Sequence, residues 1–311
     1  MNSIPPFNLP GRFWRGNLHT HTTRSDGTRS PEFVCRYYRA LGYDFLSITD
    51  HMLPQYGNPI TDTTPYRTAD FTTLIGAELH AGQIGSNGEI WHILANGLPL
   101  DFAPSAPDET GPELAARALA AGAFVTCAHP AWYALTEDEV ISLGDVHAIE
   151  TINGISADHS DRIDSWYMLD ALLARGRRYY ALTTDDAHFH AINADVMLAW
   201  TWVKAETLTP EALLAALKAG HYYSSSGPQI LDLQFDRAAG RAYIQCSPVE
   251  SIFIIGRGSH SVYHHGNGLI EAELSLKRLG DSPYCRVMVR DARGGRAWTN
   301  PIFFEDGAGS G

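Results

Sequence analysis

Nine side chains able to bind a divalent cation recur between residues 19 and 188: His19, His21, Asp26, His51, Glu78, His92, His129, Asp186 and His188. Imidazole nitrogen and carboxylate oxygen are borderline and hard ligands, and together they suit a site for more than one divalent ion, with hydrolysis as its chemistry. His19-Thr20-His21 on a strand would turn both rings to one face, because side chains alternate there. Asp186-Ala187-His188 repeats that spacing, and Ser25-Asp26-Gly27 sets a carboxylate on a turn beside the first pair. Glu78 closes the apolar run Leu74-Ile75-Gly76-Ala77, where a carboxylate has little reason to face inward unless paired or metallated. His51 and His129 end apolar runs in the same way, and Asp50 reads as a partner for a ligating imidazole. Each feature alone has a plain explanation as a turn residue, a solvated strand edge or a capped strand end. Their joint occurrence in order is hard to attribute to chance.

The elements that must position these residues are legible as an alternation. Strands are expected at 13–19, 44–49, 74–78, 90–95, 124–128, 148–152, 179–183 and 197–203, and helices at 31–41, 112–121, 161–175 and 210–219. Pro31, Pro112 and Pro210 suit first helical turns, and Gly42, Gly122, Gly176 and Gly220 suit the left-handed stop after each helix. Strand, helix, strand in this order implies parallel pairing and an α/β fold. Most candidate ligands then stand at the carboxyl ends of strands, the rim where side chains from distant strands converge in a barrel. His92 lies near the start of its strand, which implies that this strand runs the other way or that the barrel is distorted. Residues 52–72, rich in Pro, Thr and Tyr, read as an active-site loop.

After Gly227-Pro228 the helical patterns stop and short strand-like runs follow, separated by turns. The expected organisation is a metallohydrolase barrel over residues 12–226, a small β-sandwich-like domain over 227–305 and a disordered tail over 306–311. The four cysteines, Cys35, Cys127, Cys246 and Cys285, show no CxxC or paired spacing and read as reduced thiols of a cytoplasmic protein. The amino-terminal stretch has no basic region followed by an apolar run, and no apolar run approaches the roughly 18 residues of a membrane span. A net charge of −12 excludes the basic field that drives duplex nucleic-acid binding, which disfavours a nuclease. Three divalent ions set against three carboxylates would nevertheless make the pocket locally electropositive, fit for a small anionic substrate.

The ordered set NLHTHTTRSDG, SITDH, GAELHA, WHILANG, CAHPAW, ETINGI and TTDDAH resembles the PHP (polymerase and histidinol phosphatase) family of metallohydrolases from about Asn17 to His188. HYYSSSGPQILDLQF and VRDARGGRAWTNPIFF resemble the CehA/McbA-like branch, which adds a carboxyl-terminal β domain. The resemblance implies a distorted (β/α)7 PHP barrel with two or three divalent ions (manganese, iron or zinc). One ion would sit among His19, His21, Glu78 and Asp186, a second with His92 and His129 with Glu78 bridging, and a third with Asp26, His51 and His188.

The expected activity is hydrolysis of a small phosphate mono- or diester by a metal-bridging hydroxide, a phosphoesterase with a trinuclear site. Carbamate, ester or amide hydrolysis is the alternative, and a non-catalytic metal-stabilised binding module is a third reading. Glu78 and Asp186 are expected to be essential, with His159 or His190 as general acid. Arg24 would clamp a phosphoryl oxygen, and Trp132, Tyr133 and Asn153 would line the pocket, against packing or turn roles for each. His264 and His265 read as a surface turn, and His80, His147 and His221 as structural.

Overall fold

Serine and threonine side chains cap most of the α-helices where the alternation of apolar residues changes period. Ser30 accepts from the Phe33 N–H at the start of α1 (Pro31–Ala40), and Thr110 forms a reciprocal capping box with Glu113 at α2 (Gly111–Ala120). The computed structural model describes residues 5–190, 195–236 and 239–304. The expected tail over 306–311 lies outside them.

Strands β1 (Arg12–Asn17), β2 (Phe45–Ile48), β3 (His51–Met52), β4 (Thr72–Gln83), β5 (Ile90–Asn96), β6 (Phe124–Cys127), β7 (Ala148–Asn153), β8 (Tyr180–Thr184), β9 (Trp200–Ala205) and β10 (Tyr222–Ser225) form the first part of the sheet. With them come α3 (Glu137–Ser142), α4 (Ser156–His159), α5 (Trp166–Ala174) and α6 (Pro210–Lys218). The fold is mixed α/β, and pairing is only partly parallel. β1–β2, β2–β4, β3–β4, β6–β7 and β7–β8 are parallel, whereas β4–β5, β5–β6, β1–β9 and β9–β10 are antiparallel. β5 therefore runs against both neighbours, which accounts for the position of His92 near its start.

The expected closed barrel is not what the ladders form. The hydrogen-bonded path runs from β11 (Ile230–Asp236) through β12 (Arg241–Ile255), β14 (Tyr284–Arg290), β15 (Arg296–Thr299), β10, β9, β1, β2, β4, β5, β6 and β7 to β8 and does not return on itself. The gap between β8 and β1 is spanned past the strand ends by one parallel bridge, Thr20 to Ala187, with the His21 N–H donating to the Ala187 carbonyl at 2.8 Å. Asn17 Oδ1 accepts from the Asp185 N–H at 2.9 Å, and the Thr183 and Thr201 hydroxyls bond across to β9 and β8 backbone.

Two expected elements are shorter for stated reasons. Met197, Leu198 and Ala199 were expected to open a strand, but their N–H groups donate to the Asp185 carboxylate and β9 begins at Trp200. Helix α5 begins at Trp166 rather than Asp161, because Asp161 is left-handed (φ 56°) and Asp164 bridges to Ile152. Helix α3, absent from the sequence reading, carries its own capping box between Thr136 and Glu139. At the end of α2, Gly122 takes φ 88°, a conformation that suits glycine.

The carboxyl-terminal strands β11 (Ile230–Asp236), β12 (Arg241–Ile255), β13 (Ser261–Ser275), β14 (Tyr284–Arg290), β15 (Arg296–Thr299) and β16 (Ile302–Phe303) are antiparallel where they pair. They join the first part through β10 and β15, where Tyr223 pairs with Thr299 and Ser225 with Ala297. His264 and His265 lie exposed on strand β13, not on a turn, because the hairpin pairs them with Ile252 and Ser251. Leu18, Phe45, Leu74, Leu94, Phe124, Leu182, Val203 and Leu217 form one buried cluster below the candidate ligands.

Candidate metal centre

The extended chain leaving β1 carries His19 and His21, both fully buried, directly after Leu18, which packs in the core. Across from them stand Glu78 on β4 and Asp186 just past β8, the latter at φ 53°. His19 Nε2 lies 3.1 Å and His21 Nε2 3.0 Å from Asp186 Oδ1, and each lies 3.5 Å from Glu78 Oε2. All four of these atoms are buried and have no hydrogen-bond partner. Buried polar atoms are normally satisfied, so four orphans facing one another call for a group between them. Bond lengths of about 2.0–2.2 Å to a tetrahedral cation put ligand atoms roughly 3.3 Å apart, which these separations match.

Glu78 serves a second group with its other oxygen. Oε1 lies 2.7 Å from His92 Nδ1 and 3.2 Å from His129 Nε2. The antiparallel β4–β5 ladder brings His92 here, since it sets His92 opposite His80, two residues along the same strand face from Glu78. A third group gathers at the mouth: Asp26 Oδ2 is 3.4 Å from His51 Nε2, and Asp26 Oδ1 is 3.5 Å from His188 Nε2 and 3.7 Å from His21 Nδ1. Register puts His51 beside Glu78 on the parallel β3–β4 pair, with His51 Nδ1 2.7 Å from Glu78 Oε2. All nine candidate ligands therefore converge. The donor set of imidazoles and carboxylates fits divalent ions: ligand atoms lie within 4.8 Å of one another in the groups of His19, His21 and Asp186, of His19, Glu78 and His129, and of His21, Asp26, His51 and His188, and in a group of His51, Glu78 and His92 that also takes in His80.

The electrostatics keep the carboxylates ionised. Burial pushes Glu78 up, but His51, His92 and His19 outweigh it and hold it well below the usual carboxylate range. Asp186 is likewise depressed against burial by His19 and His21, and Asp26 by its bonds to His188 and His51. Burial lowers His21 to about 3, helped by the nearby His188 and His51. Burial also lowers His51, yet Glu78 and Asp26 raise it to about 11. With cations present, those positive charges replace protons.

Behind the ligands lies a shell that sequence reasoning missed in part. Glu150, fully buried, accepts from His19 Nδ1 at 2.9 Å, from the His129 N–H at 2.7 Å and from Asn153 Nδ2 at 3.1 Å. It stands in β7, where every residue is buried, so the argument applied to Glu78 would have found it. Asp195 accepts from the His188 and Phe189 N–H groups at 2.6 Å each and fixes the loop after β8. Asp50 does not touch an imidazole; it accepts from the Thr22 N–H at 2.7 Å and from the hydroxyls of Thr22, Ser25 and Thr61, holding the turn that carries Asp26. His80, read as structural, packs against the cluster with Nε2 2.9 Å from His51 Nδ1. Its signal was Glu78-Leu79-His80, the same alternate spacing as His19-Thr20-His21.

The cluster opens into a cavity of about 220 Å³ walled by Trp132, Tyr133, Ile155, His159 and His190, with Asp26, His51, Glu78, His92, His129, Asp186 and His188 at its base. Tyr133 donates or accepts at 3.0 Å with His92 Nε2, and Trp132 packs against His159 with ring centroids 5.1 Å apart. Asn153 lies behind Asp186, bonding its Oδ2 at 2.9 Å, and does not line the cavity. Arg24 is exposed and is not part of the lining either. No residue of the 52–72 loop lines it, although the Tyr56 ring faces the His51 ring at 6.4 Å.

No family model and no curated protein matches the chain. Among solved structures, a two-domain protein containing a predicted PHP-like metal-dependent phosphoesterase from Bacteroides vulgatus is similar at 14% identity, with a TM-score of 0.53, over 93% of this chain and 94% of its own. A candidate metal-dependent phosphoesterase from Bifidobacterium adolescentis has a TM-score of 0.41 at 15% identity over 60% of this chain and 89% of its own. An amidohydrolase from Chromobacterium violaceum with bound sulfate has a TM-score of 0.43 at 14% identity over 56% and 87%. The first likeness, which spans both parts of the chain, shows a shared fold.

Proposed function

We propose that this chain is a metal-dependent hydrolase of small molecules, with a phosphate mono- or diester as the first substrate class. The observation that carries the reading is the set of four orphaned buried atoms, His19 Nε2, His21 Nε2, Glu78 Oε2 and Asp186 Oδ1, converging at 3.0–3.5 Å. His92 and His129 with Glu78, and Asp26 with His51 and His188, would hold a second and a third ion. Bound divalent ions supply Lewis acidity and bring the pKa of water from 15.7 toward about 7. The protein's own contribution is orientation and exclusion of bulk water: Glu150 aims His19, Asn153 aims Asp186, and Trp132, Tyr133 and Ile155 wall the site. In hydrolysis the water oxygen bonds to the electrophilic centre while the bond to the leaving oxygen breaks. His159 or His190, on the wall, would give that oxygen its proton.

A specific observation favours a second substrate class. Among the described residues neither lysine nor arginine lines the cavity, whose wall is formed largely by aromatic and imidazole rings. An ester, carbamate or amide with an apolar group suits such a wall, and the antiparallel strands after residue 227 support the CehA/McbA-like reading of the sequence. Elemental analysis of the purified protein, with assays on p-nitrophenyl phosphate, bis(p-nitrophenyl) phosphate, p-nitrophenyl acetate and an aryl carbamate, separates the classes. Metal-loaded protein inert toward the whole panel would overturn the enzymatic reading. Replacement of Asp186 by Ala is expected to release metal and lower kcat/KM more than 100-fold, beyond the roughly 10–100-fold typical of residues behind the ligands.

A further inference from the structure

His80 is not among the nine ligands, yet it touches one of them. Its Nδ1 lies 3.2 Å from the Trp91 carbonyl oxygen, and its Nε2 lies 2.9 Å from His51 Nδ1. A carbonyl can only accept, so His80 Nδ1 must carry the hydrogen. In neutral His80 that leaves Nε2 with a lone pair, and the hydrogen between the two rings belongs to His51 Nδ1. In neutral His51, the form that binds a cation, the tautomer follows: Nδ1 donates to His80, with Glu78 Oε2 2.7 Å away, and Nε2 keeps the lone pair that faces Asp26 at 3.4 Å. Orientation is fixed by the same contacts. Trp91 and His80 sit on the paired strands β5 and β4, His80 is 3% exposed, and the His51 and His80 rings lie 4.9 Å apart.

We propose that His80 is a positioning residue for the ion held by Asp26, His51 and His188, setting which nitrogen of His51 binds it. This rests on the metal reading above. Ligating histidines commonly have their second nitrogen bonded to a carboxylate or carbonyl; here another histidine, itself anchored by a carbonyl, takes that part.

The test is a Mn²⁺ titration of metal-free protein, following free Mn²⁺ by electron paramagnetic resonance, for the wild type, His80→Phe and His80→Gln. Phenylalanine keeps a ring in the space without an acceptor; glutamine offers a carbonyl oxygen to the His51 Nδ1–H. His80→Phe is expected to weaken one binding step by about 10–100-fold and leave the other steps in place, and His80→Gln to restore most of the loss. Unchanged steps in His80→Phe, equal loss in both variants, or uniform weakening of every step would overturn the assignment. Should His80→Phe not fold, His80→Met takes its place with the same expectations. A wild type that takes up no Mn²⁺ would instead overturn the metal reading itself.

Discussion

At the scale of single residues, the site is held by partners as much as by ligands. Glu150 accepts from His19, from the His129 backbone and from Asn153, so removing its charge loosens two candidate ligands at once. Glu150→Gln is expected to cost roughly 10–100-fold in metal affinity, read by titration, with the fold intact by circular dichroism. His147 gives a prediction of a different kind. Burial and the nearby Lys218 lower it to about 4 from its ordinary 6.5, and the Val125 N–H donates to its Nδ1. Between those two values the unfolded chain binds a proton that the folded chain does not. Stability from this group is therefore fully present above pH 6.5 and is lost as pH falls toward about 4. Chemical denaturation of His147→Gln against pH should show a shallower slope in that window, and an identical slope would remove the argument. The nine ligands were legible because histidine and carboxylate at strand ends are rare without a purpose. Glu150 and His80 were harder to see, since their meaning comes from what faces them across the sheet, and Asp195 because its carboxylate holds the backbone of His188 and Phe189 rather than another side chain.

At the scale of elements, turn and cap chemistry was readable and strand direction was not. Glycine after a helix and proline in its first turn mark boundaries through local conformational preference, which a sequence states directly. Direction depends on which strand lies alongside. Nothing in Ile90–Asn96 announces that β5 opposes both neighbours; only the awkward place of His92 hinted at it. The start of α2 tests how packing overrides propensity. Gly111 is helical, where alanine would normally gain up to about 1 kcal/mol. A Cβ there would lie 2.2 Å from Cδ1 of Trp91, which is buried on β5. Overpacking costs roughly 1–3 kcal/mol, so Gly111→Ala should destabilise the protein in urea unfolding, opposite in sign to the helical preference.

At the scale of the molecule, the composition boundary near residue 227 is crossed by the sheet itself and by side chains. Arg286 on β14 makes two bonds to Asp170 on α5, at 2.9 and 2.7 Å, and Trp298 on β15 stacks on Trp166 at 5.4 Å. Arg286 is buried while the Asp170 side chain keeps 35% exposure, so Arg286→Met should cost somewhat less than the 3–5 kcal/mol of breaking a fully buried pair. Global unfolding by denaturant reads that loss. The pairing of β10 with β15 carries a further consequence. A chain stopped at residue 226 would present the backbone of Tyr223–Ser225 bare to water, with the Tyr223 ring, now 2% exposed, uncovered beside it. Such a raw margin recruits whatever strand comes near, most readily its twin on another molecule. The shortened protein should therefore elute as oligomers or precipitate, and a well-behaved monomer of 226 residues would show that the later strands are ornament rather than selvage.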